Sequence, residues 1–208
     1  MDPGHPSEVN SARTVQHGVT ELAMNWQVAQ RLAPLLRQRG FTVVLTKGAM
    51  DEYVTNKQRA QIANRAHASL LLRLHCDTGA GRGITLYAPD GAGHQGSARG
   101  PSPAVIAESQ RAAHTLHDGM LATLGNSLHN NGIKSDRATA IGLRQGALTG
   151  SIYSKVPVVT VEMVYLSNAS DARFIAGAVG QQQLAEALAA GVEAYLATRS
   201  QRDGAARR

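Results

Sequence analysis

The chain has 208 residues, of which 43% are hydrophobic but only 4% aromatic, and Cys76 is its only cysteine. This length suits one ordinary hydrophobic core built mainly from Ala, Leu and Val, so we expect a single domain. A lone cysteine excludes an internal disulfide and a thiolate metal cluster. No apolar run reaches the about 18 residues that a membrane-spanning helix needs.

The formal net charge is +6, and residues 199–208, with four Arg and one Asp, supply +3 of it. The rest of the chain is only mildly basic and has few aromatic side chains to stack on bases, so nucleic acid is not an expected partner. A weak attraction to anionic surfaces such as cell-wall polymers fits the charge better. We expect residues 1–198 to form the folded domain and residues 199–208 a basic, disordered tail.

The first half of the chain alternates between helical and strand-like patterns. It opens with Asp2-Pro3-Gly4-His5, a turn of the kind that follows a strand, so the first strand is expected to be truncated. Apolar spacing then predicts a helix over residues 21–39, capped by Thr20 and ended by Gly40. The remaining predictions are a β-branched run at 41–46, a helix at 56–68, and buried strands at 69–75 and 83–88.

The second half continues the alternation. Residues 89–103 hold many Gly and Pro and predict a loop, and residues 125–150 show a mixed, irregular pattern. Helices are predicted at 104–124 and 181–198, with an apolar strand at 156–162 between them. Such alternation indicates an α/β fold with a twisted, mostly parallel central sheet and helices on both faces, and with the functional site at the carboxyl ends of the strands.

Three ionisable residues lie where these elements should meet that edge of the sheet. His75 and Glu162 each close a predicted strand, and Glu21 opens the first helix. His75 alone could be an ordinary residue at the sheet edge. Together with His5, however, two imidazoles and one carboxylate form the ligand set of an open catalytic zinc site. Glu162 is then a second carboxylate, suited to proton transfer beside the metal.

Four short motifs resemble, in the same order, those of the zinc-dependent N-acetylmuramoyl-L-alanine amidases of the amidase-3 type: DPGH at 2–5, TEL at 20–22, LLLRLHCD at 70–77 and VVTVEMVYLSN at 158–168. Arg59 and Asn64 are similar to residues of the family's helix between its first glutamate and its second histidine. The resemblance extends from residue 2 to about residue 197.

This resemblance implies that His5, Glu21 and His75 hold one Zn²⁺ ion per chain and that Glu162 is the catalytic glutamate. The implied reaction is hydrolysis of the amide between the lactyl group of N-acetylmuramic acid and L-alanine of the peptidoglycan stem peptide. A metal-activated water attacks, and Glu162 acts as general base and then as general acid. The resemblance also implies a protein exported to the periplasm or cell wall, whose signal peptide is absent from this chain. We expect a monomer and leave open an activator protein.

The chain departs from the family pattern near both histidines. Pro6 and Ser7 follow the first histidine, where the family has a small residue and a Gly pair. Cys76 follows the second histidine, where Ala is common, and its thiol is a rival metal ligand, although strand alternation should point it away from the site. The family's first strand precedes DPGH, and here only Met1 of it is present, which supports the expectation of a truncated strand.

Three further points stay open. Arg137 and Arg144 fall where the family places a substrate-facing loop, so they could pair with stem-peptide carboxylates, or they could be ordinary surface arginines. The ligand types alone also permit a zinc carboxypeptidase that acts on cell-wall peptide. A third alternative is a catalytically silent wall-binding module with the same fold.

Overall fold

A computed structural model describes residues 1–8 and 11–205 of the chain. Its strands are β1 (Asp2–Pro3), β2 (Leu71–Asp77), β3 (Ile84–Ala88), β4 (Gly93–Gln95), β5 (Ala98–Gly100), β6 (Asn130–Ser135) and β7 (Val158–Tyr165). Five of them form one sheet in the order β1, β2, β7, β3, β6, while β4 and β5 form a separate hairpin. Within the sheet only the pair β3 and β7 is antiparallel, which confirms the predicted mostly parallel sheet of an α/β domain.

The helices are α1 (Glu21–Gln38), α2 (Asn56–Arg65), α3 (Pro103–Leu124), α4 (Ala140–Gln145), α5 (Thr149–Ile152), α6 (Ala169–Ala176) and α7 (Ala178–Ala205). Their starts follow from local sequence. The Thr20 side chain accepts a hydrogen bond from the backbone N–H of Ala23, and Thr55 forms a capping box with Gln58 at the start of α2. None of the helices in the described parts of the chain combines the length and apolar character that crossing a membrane requires.

The two faces of the sheet have different surroundings. One face packs on α1, α3 and α7 in a large core that includes Leu72, Leu74, Leu86, Val159 and Val161. On the other face, Leu71 and Val158 pack against Ala60 and Ala63 of α2. Because side chains alternate along a strand, the positions that follow on this second face are Arg73 and His75 of β2, and Thr160 and Glu162 of β7. On this face, the residues that follow those packed against α2 are therefore polar.

The structure corrects three local predictions. The β-branched run at 41–46 is not a strand. Its bonds to the start of the chain run from Thr46 N–H to the Met1 carbonyl, from the Met1 amino group to the Val44 carbonyl, and from the Thr46 hydroxyl to Asp2 Oδ1. The predicted loop at 89–103 contains the β4–β5 hairpin, and residues 125–150 contain β6 and α4. These elements depend on contacts between distant residues, and a local pattern carries little information about such contacts.

The β4–β5 hairpin shows how such contacts work. Gly93 lies so close to the backbone of Ala147 that a Cβ there would come within 2.6 Å of its nitrogen. Gly100 lies equally tightly against the carbonyl of Ile152. The two glycines therefore allow the hairpin to pack closely against α4 and α5. The sequence alone does not reveal this role, because the contacts form only in the folded chain.

The basic tail is a further correction, because α7 continues through Ala205 where the sequence predicts disorder. Arg199 donates to the carbonyl of Ser69 at 2.8 Å, and Arg202 pairs with Glu108 at 2.6 Å, so these arginines fasten the end of the helix to the body of the protein. Residues 206–208 lie outside the described residues. The boundary at residue 198 stays a prediction.

Candidate active site

The three predicted ligands come together at the carboxyl end of β2. Glu21 Oε1 lies 3.3 Å from His5 Nε2 and 3.0 Å from His75 Nδ1. The two imidazole rings meet edge to face, with centroids 5.0 Å apart. One donor atom from each of the three residues lies within 4.8 Å of the other two. The fold thus gathers, from three separate elements, the donors that the sequence singles out.

This arrangement fits a single zinc ion. Two imidazoles and one carboxylate are the donors of catalytic zinc sites that keep an open coordination position. His75 Nε2 is buried and has no hydrogen-bond partner among the described residues. A buried ring nitrogen without a hydrogen-bond partner is unfavourable, and a neutral imidazole can bind a metal through either of its ring nitrogens.

Gly4 sets the position of His75. A Cβ at residue 4 would lie 2.6 Å from Nε2 and 2.7 Å from Nδ1 of the His75 ring. Real side chains do not approach so closely, so the ring can occupy this place only because residue 4 is glycine. The Gly4 N–H donates to the Leu74 carbonyl at 2.9 Å, which continues the pairing of β1 with β2.

Glu21 is oriented by its neighbours on both sides. As the first residue of α1 it lies at the positive end of the helix dipole. Asn25, fully buried one turn later, and the Cys76 backbone N–H each donate to Glu21 Oε1 at 3.3 Å. Burial alone would raise the pKa of Glu21, but hydrogen bonds with His5 and His75 hold it well below its usual range. Glu21 is therefore ionised, which is the form in which a carboxylate binds a metal.

The thiol of Cys76 bonds Asn25 and no residue of this cluster. Its Sγ bonds the Asn25 amide oxygen at 3.5 Å, and the side chain is buried. Burial, reinforced by the nearby carboxylates Glu21 and Glu162, raises the pKa of Cys76 well above its ordinary value. A neutral thiol that faces Asn25 is a poor metal ligand. The geometry thus favours the histidines and Glu21 over Cys76.

Glu162 stands next to His75 on the same face of the sheet, as its paired residue across β2 and β7. Its Oε2 atom is buried and has no hydrogen-bond partner among the described residues. Burial, together with the negative charges of Glu21 and Asp77, raises the pKa of Glu162 well above its usual range, while Arg73 opposes this shift. A carboxyl group with a raised pKa at a metal site is suited to accept and return a proton.

These residues line one cleft of about 500 Å³. Its lining also includes residues 138–141 and 148–149, together with Arg73, Thr160 and Tyr87. The sequence did not single out these last three lining residues. Arg73 and Thr160 each lie two positions before a site residue on the same strand, so strand alternation was the signal that could have located them.

The two arginines predicted to bind substrate lie elsewhere. Arg137 is exposed, donates to the Gly146 carbonyl at 3.2 Å and lies 3.4 Å from Asp90. Arg144 is exposed on α4. Neither is among the described residues that line the cleft. Their role in substrate binding stays a prediction.

The chain resembles known amidases in sequence and fold. Residues 1–194 match the family model described as N-acetylmuramoyl-L-alanine amidase, Amidase_3. The amidase LytC of Bacillus subtilis is 28% identical over 94% of this chain, and the amidase AmiC of Escherichia coli is 25% identical over 95%. The solved structure of the amidase AmiC2 of Nostoc punctiforme has the same fold, with a TM-score of 0.75 and 24% identity over 94% of each chain.

The match to the first two relatives covers only part of their length. The chain spans 34% of LytC and 52% of AmiC, so those proteins contain further residues without a counterpart here. The family model, in contrast, accounts for nearly the whole chain, including all four ionisable residues of the site. The chain therefore belongs to the amidase-3 family of N-acetylmuramoyl-L-alanine amidases.

Proposed function

We propose that this protein is a zinc-dependent amidase that cleaves between the lactyl group of N-acetylmuramic acid and L-alanine of the peptidoglycan stem peptide. The observation that carries the proposal is the convergence of His5, Glu21 and His75 beside the buried carboxyl group of Glu162. A zinc ion bound by the three ligands would supply a Lewis acid for the scissile carbonyl and lower the pKa of water.

The chain's own residues account for the proton transfers. Glu162 accepts a proton at Oε2 from the attacking water and returns it to the departing alanine nitrogen. The neutral form that this cycle requires is favoured by burial and by the nearby Glu21 and Asp77, which raise the pKa of Glu162. Arg73 opposes that shift and so favours the ionised form that accepts the proton.

The cleft supplies the place for the stem peptide. Its lining combines the proposed ligands and Glu162 with Arg73, Thr160 and residues 138–141. Arg137 and Arg144 flank residues 138–141 in the chain, and both side chains are exposed. We retain them as proposed partners for stem-peptide carboxylates. An extracytoplasmic site of action, the periplasm or cell wall, and a monomeric state belong to the same proposal, since peptidoglycan lies outside the cell membrane.

Digestion of purified peptidoglycan tests the function directly. Mass spectrometry should find intact stem peptides with a free L-alanine amino terminus, together with peptide-free glycan strands. A zinc carboxypeptidase would instead leave shortened peptides on the glycan. A silent wall-binding module would sediment with the wall and release nothing. Either of these two results would overturn the proposed reaction, and metal analysis of the same preparation should find one zinc per chain.

A further inference from the structure

His5 has an unusual backbone conformation for a ligand at the end of a strand. Its φ angle is +59°, in the left-handed region that residues other than glycine rarely adopt. Such a conformation persists only where the surrounding structure holds it. The contacts around His5 show what holds it.

Arg59 bonds the backbone on both sides of His5. From α2, its Nη1 donates to the Pro3 carbonyl and its Nη2 to the Pro6 carbonyl, each at 2.9 Å. Its Nε donates to the Val54 carbonyl, also at 2.9 Å, and the side chain is fully buried. One planar guanidinium thus fixes the two ends of the turn that carries the imidazole.

A second buried cation holds the middle of the turn. Lys47 Nζ donates to the carbonyl of His5 itself and, at 2.9 Å, to the carbonyl of Met50. The Lys47 ammonium also lies 5.5 Å from the centre of the Trp26 ring. The carbonyls of Pro3, His5 and Pro6 are therefore all bonded by cationic side chains from outside the turn.

The charge of Arg59 is matched within the same cluster. The buried Asp2 carboxylate, just before the turn, bonds Arg59 through one oxygen and Arg73, at 2.9 Å, through the other. This pairing keeps the Arg59 guanidinium in place between Asp2 and the carbonyls that it bonds. Lysine could retain the charge beside Asp2 but has no planar fork with which to span Pro3 and Pro6.

We propose that Arg59 and Lys47 form a carbonyl clamp that holds His5 in the conformation that ligates the metal, so that Arg59 is a positioning residue for the site. The role of the clamp rests on the zinc site of the proposed function. Without the clamp, the turn relaxes toward negative φ and the His5 ring leaves the cluster with Glu21 and His75. Metal affinity should then fall even in a folded protein.

Metal binding by folded variants tests the clamp. Arg59→Lys is compared with Leu188→Ala, a fully buried core change on α7 that lowers stability without touching the turn. Zinc affinity is measured by chelator competition, and cobalt binding by visible absorption, at a temperature where circular dichroism shows every variant folded. Arg59→Lys should weaken zinc binding at least about tenfold, equivalent to about 1.4 kcal/mol, and alter the cobalt spectrum. Leu188→Ala should do neither.

Wild-type zinc affinity and an unchanged cobalt spectrum in folded Arg59→Lys would overturn the clamp. If that variant does not fold, zinc affinity and the cobalt spectrum are measured for Lys47→Met instead. Weaker zinc binding with an altered spectrum supports the clamp, and wild-type values overturn it. A wild-type protein that binds neither metal would overturn the proposed function instead. The clamp is then judged without metal, by NMR chemical shifts of His5: a positive φ in the wild type that is lost in Arg59→Lys supports it, and a positive φ in both overturns it.

Discussion

The imidazole of His75 lies directly on the backbone of Gly4, leaving no room for a side chain at residue 4. A Cβ there would approach Nε2 to 2.6 Å, so Gly4→Ala must push the ring out of the ligand cluster or move the turn. We expect zinc affinity to fall by at least about tenfold, since either displacement breaks ligand geometry. Isothermal titration calorimetry measures this loss.

Gly177→Ala is the matched control for this change. A Cβ at Gly177 would lie 3.6 Å from its nearest neighbour, an ordinary contact, and its φ of −81° suits any residue. Its zinc affinity should equal that of the wild type. Equal affinity in Gly4→Ala as well would show that His75 is not a ligand held against the turn.

Glu162→Gln separates proton transfer from metal binding. The amide has nearly the same shape as the carboxyl group but cannot accept the proton, so we expect kcat to fall by roughly 10²- to 10⁴-fold. Zinc content should stay at the wild-type level, because Glu162 does not belong to the three-residue ligand cluster. Peptide release from purified peptidoglycan and metal analysis give the two readouts. Undiminished release would remove Glu162 from the mechanism.

Asp2 should make stability depend on pH. Although burial alone would raise its pKa, Arg59 and Arg73 hold that pKa well below the ordinary value near 3.8. The folded state therefore keeps this carboxylate ionised where the unfolded chain binds a proton, and the stabilisation present above the ordinary value is lost as pH falls below it. Asp2→Asn leaves two buried guanidinium groups without their carboxylate and should lower the free energy of unfolding by about 3–5 kcal/mol at pH 7.

Urea denaturation of both proteins measures this effect. The difference in the free energy of unfolding between wild type and Asp2→Asn should be largest at pH 7 and smaller at pH 3. Asp51→Asn, which breaks the exposed pair with Arg13 at 2.7 Å, should change little at either pH, since solvent screens such pairs. A difference between wild type and Asp2→Asn that is the same at both pH values would show that the ionised carboxylate is not its source.

The double variant Arg137→Ala, Arg144→Ala tests the two exposed arginines proposed to bind substrate. If they pair with stem-peptide carboxylates, KM should rise several-fold while kcat and zinc content stay unchanged, because only substrate binding is weakened. A soluble muramyl peptide series, with free or amidated carboxyl groups, gives both constants. Arg111→Ala, which alters an arginine on α3 that pairs with Glu108, is the control. Equal KM in all three proteins would make Arg137 and Arg144 ordinary surface residues.

The local features of this protein follow from short stretches of sequence. The Thr20 cap and apolar spacing predict α1, and short apolar runs predict the two buried strands that carry His75 and Glu162, although both strands continue two or three residues further than predicted. The motifs around His5, Glu21, His75 and Glu162 identify the family, and the family model confirms it. These features are readable because hydrogen bonding within a helix and side-chain direction along a strand depend on neighbouring residues alone.

Tertiary structure decided the rest. The antiparallel placement of β3 against β7, the hairpin within residues 89–103 and the helical end of the arginine-rich tail depend on contacts between distant segments. Arg59 illustrates the same limit, since it lies 54 positions after His5 and only the fold brings its guanidinium to both sides of that residue. A local pattern does not encode which distant partners will satisfy a buried charge, because that pairing depends on how all the elements pack together.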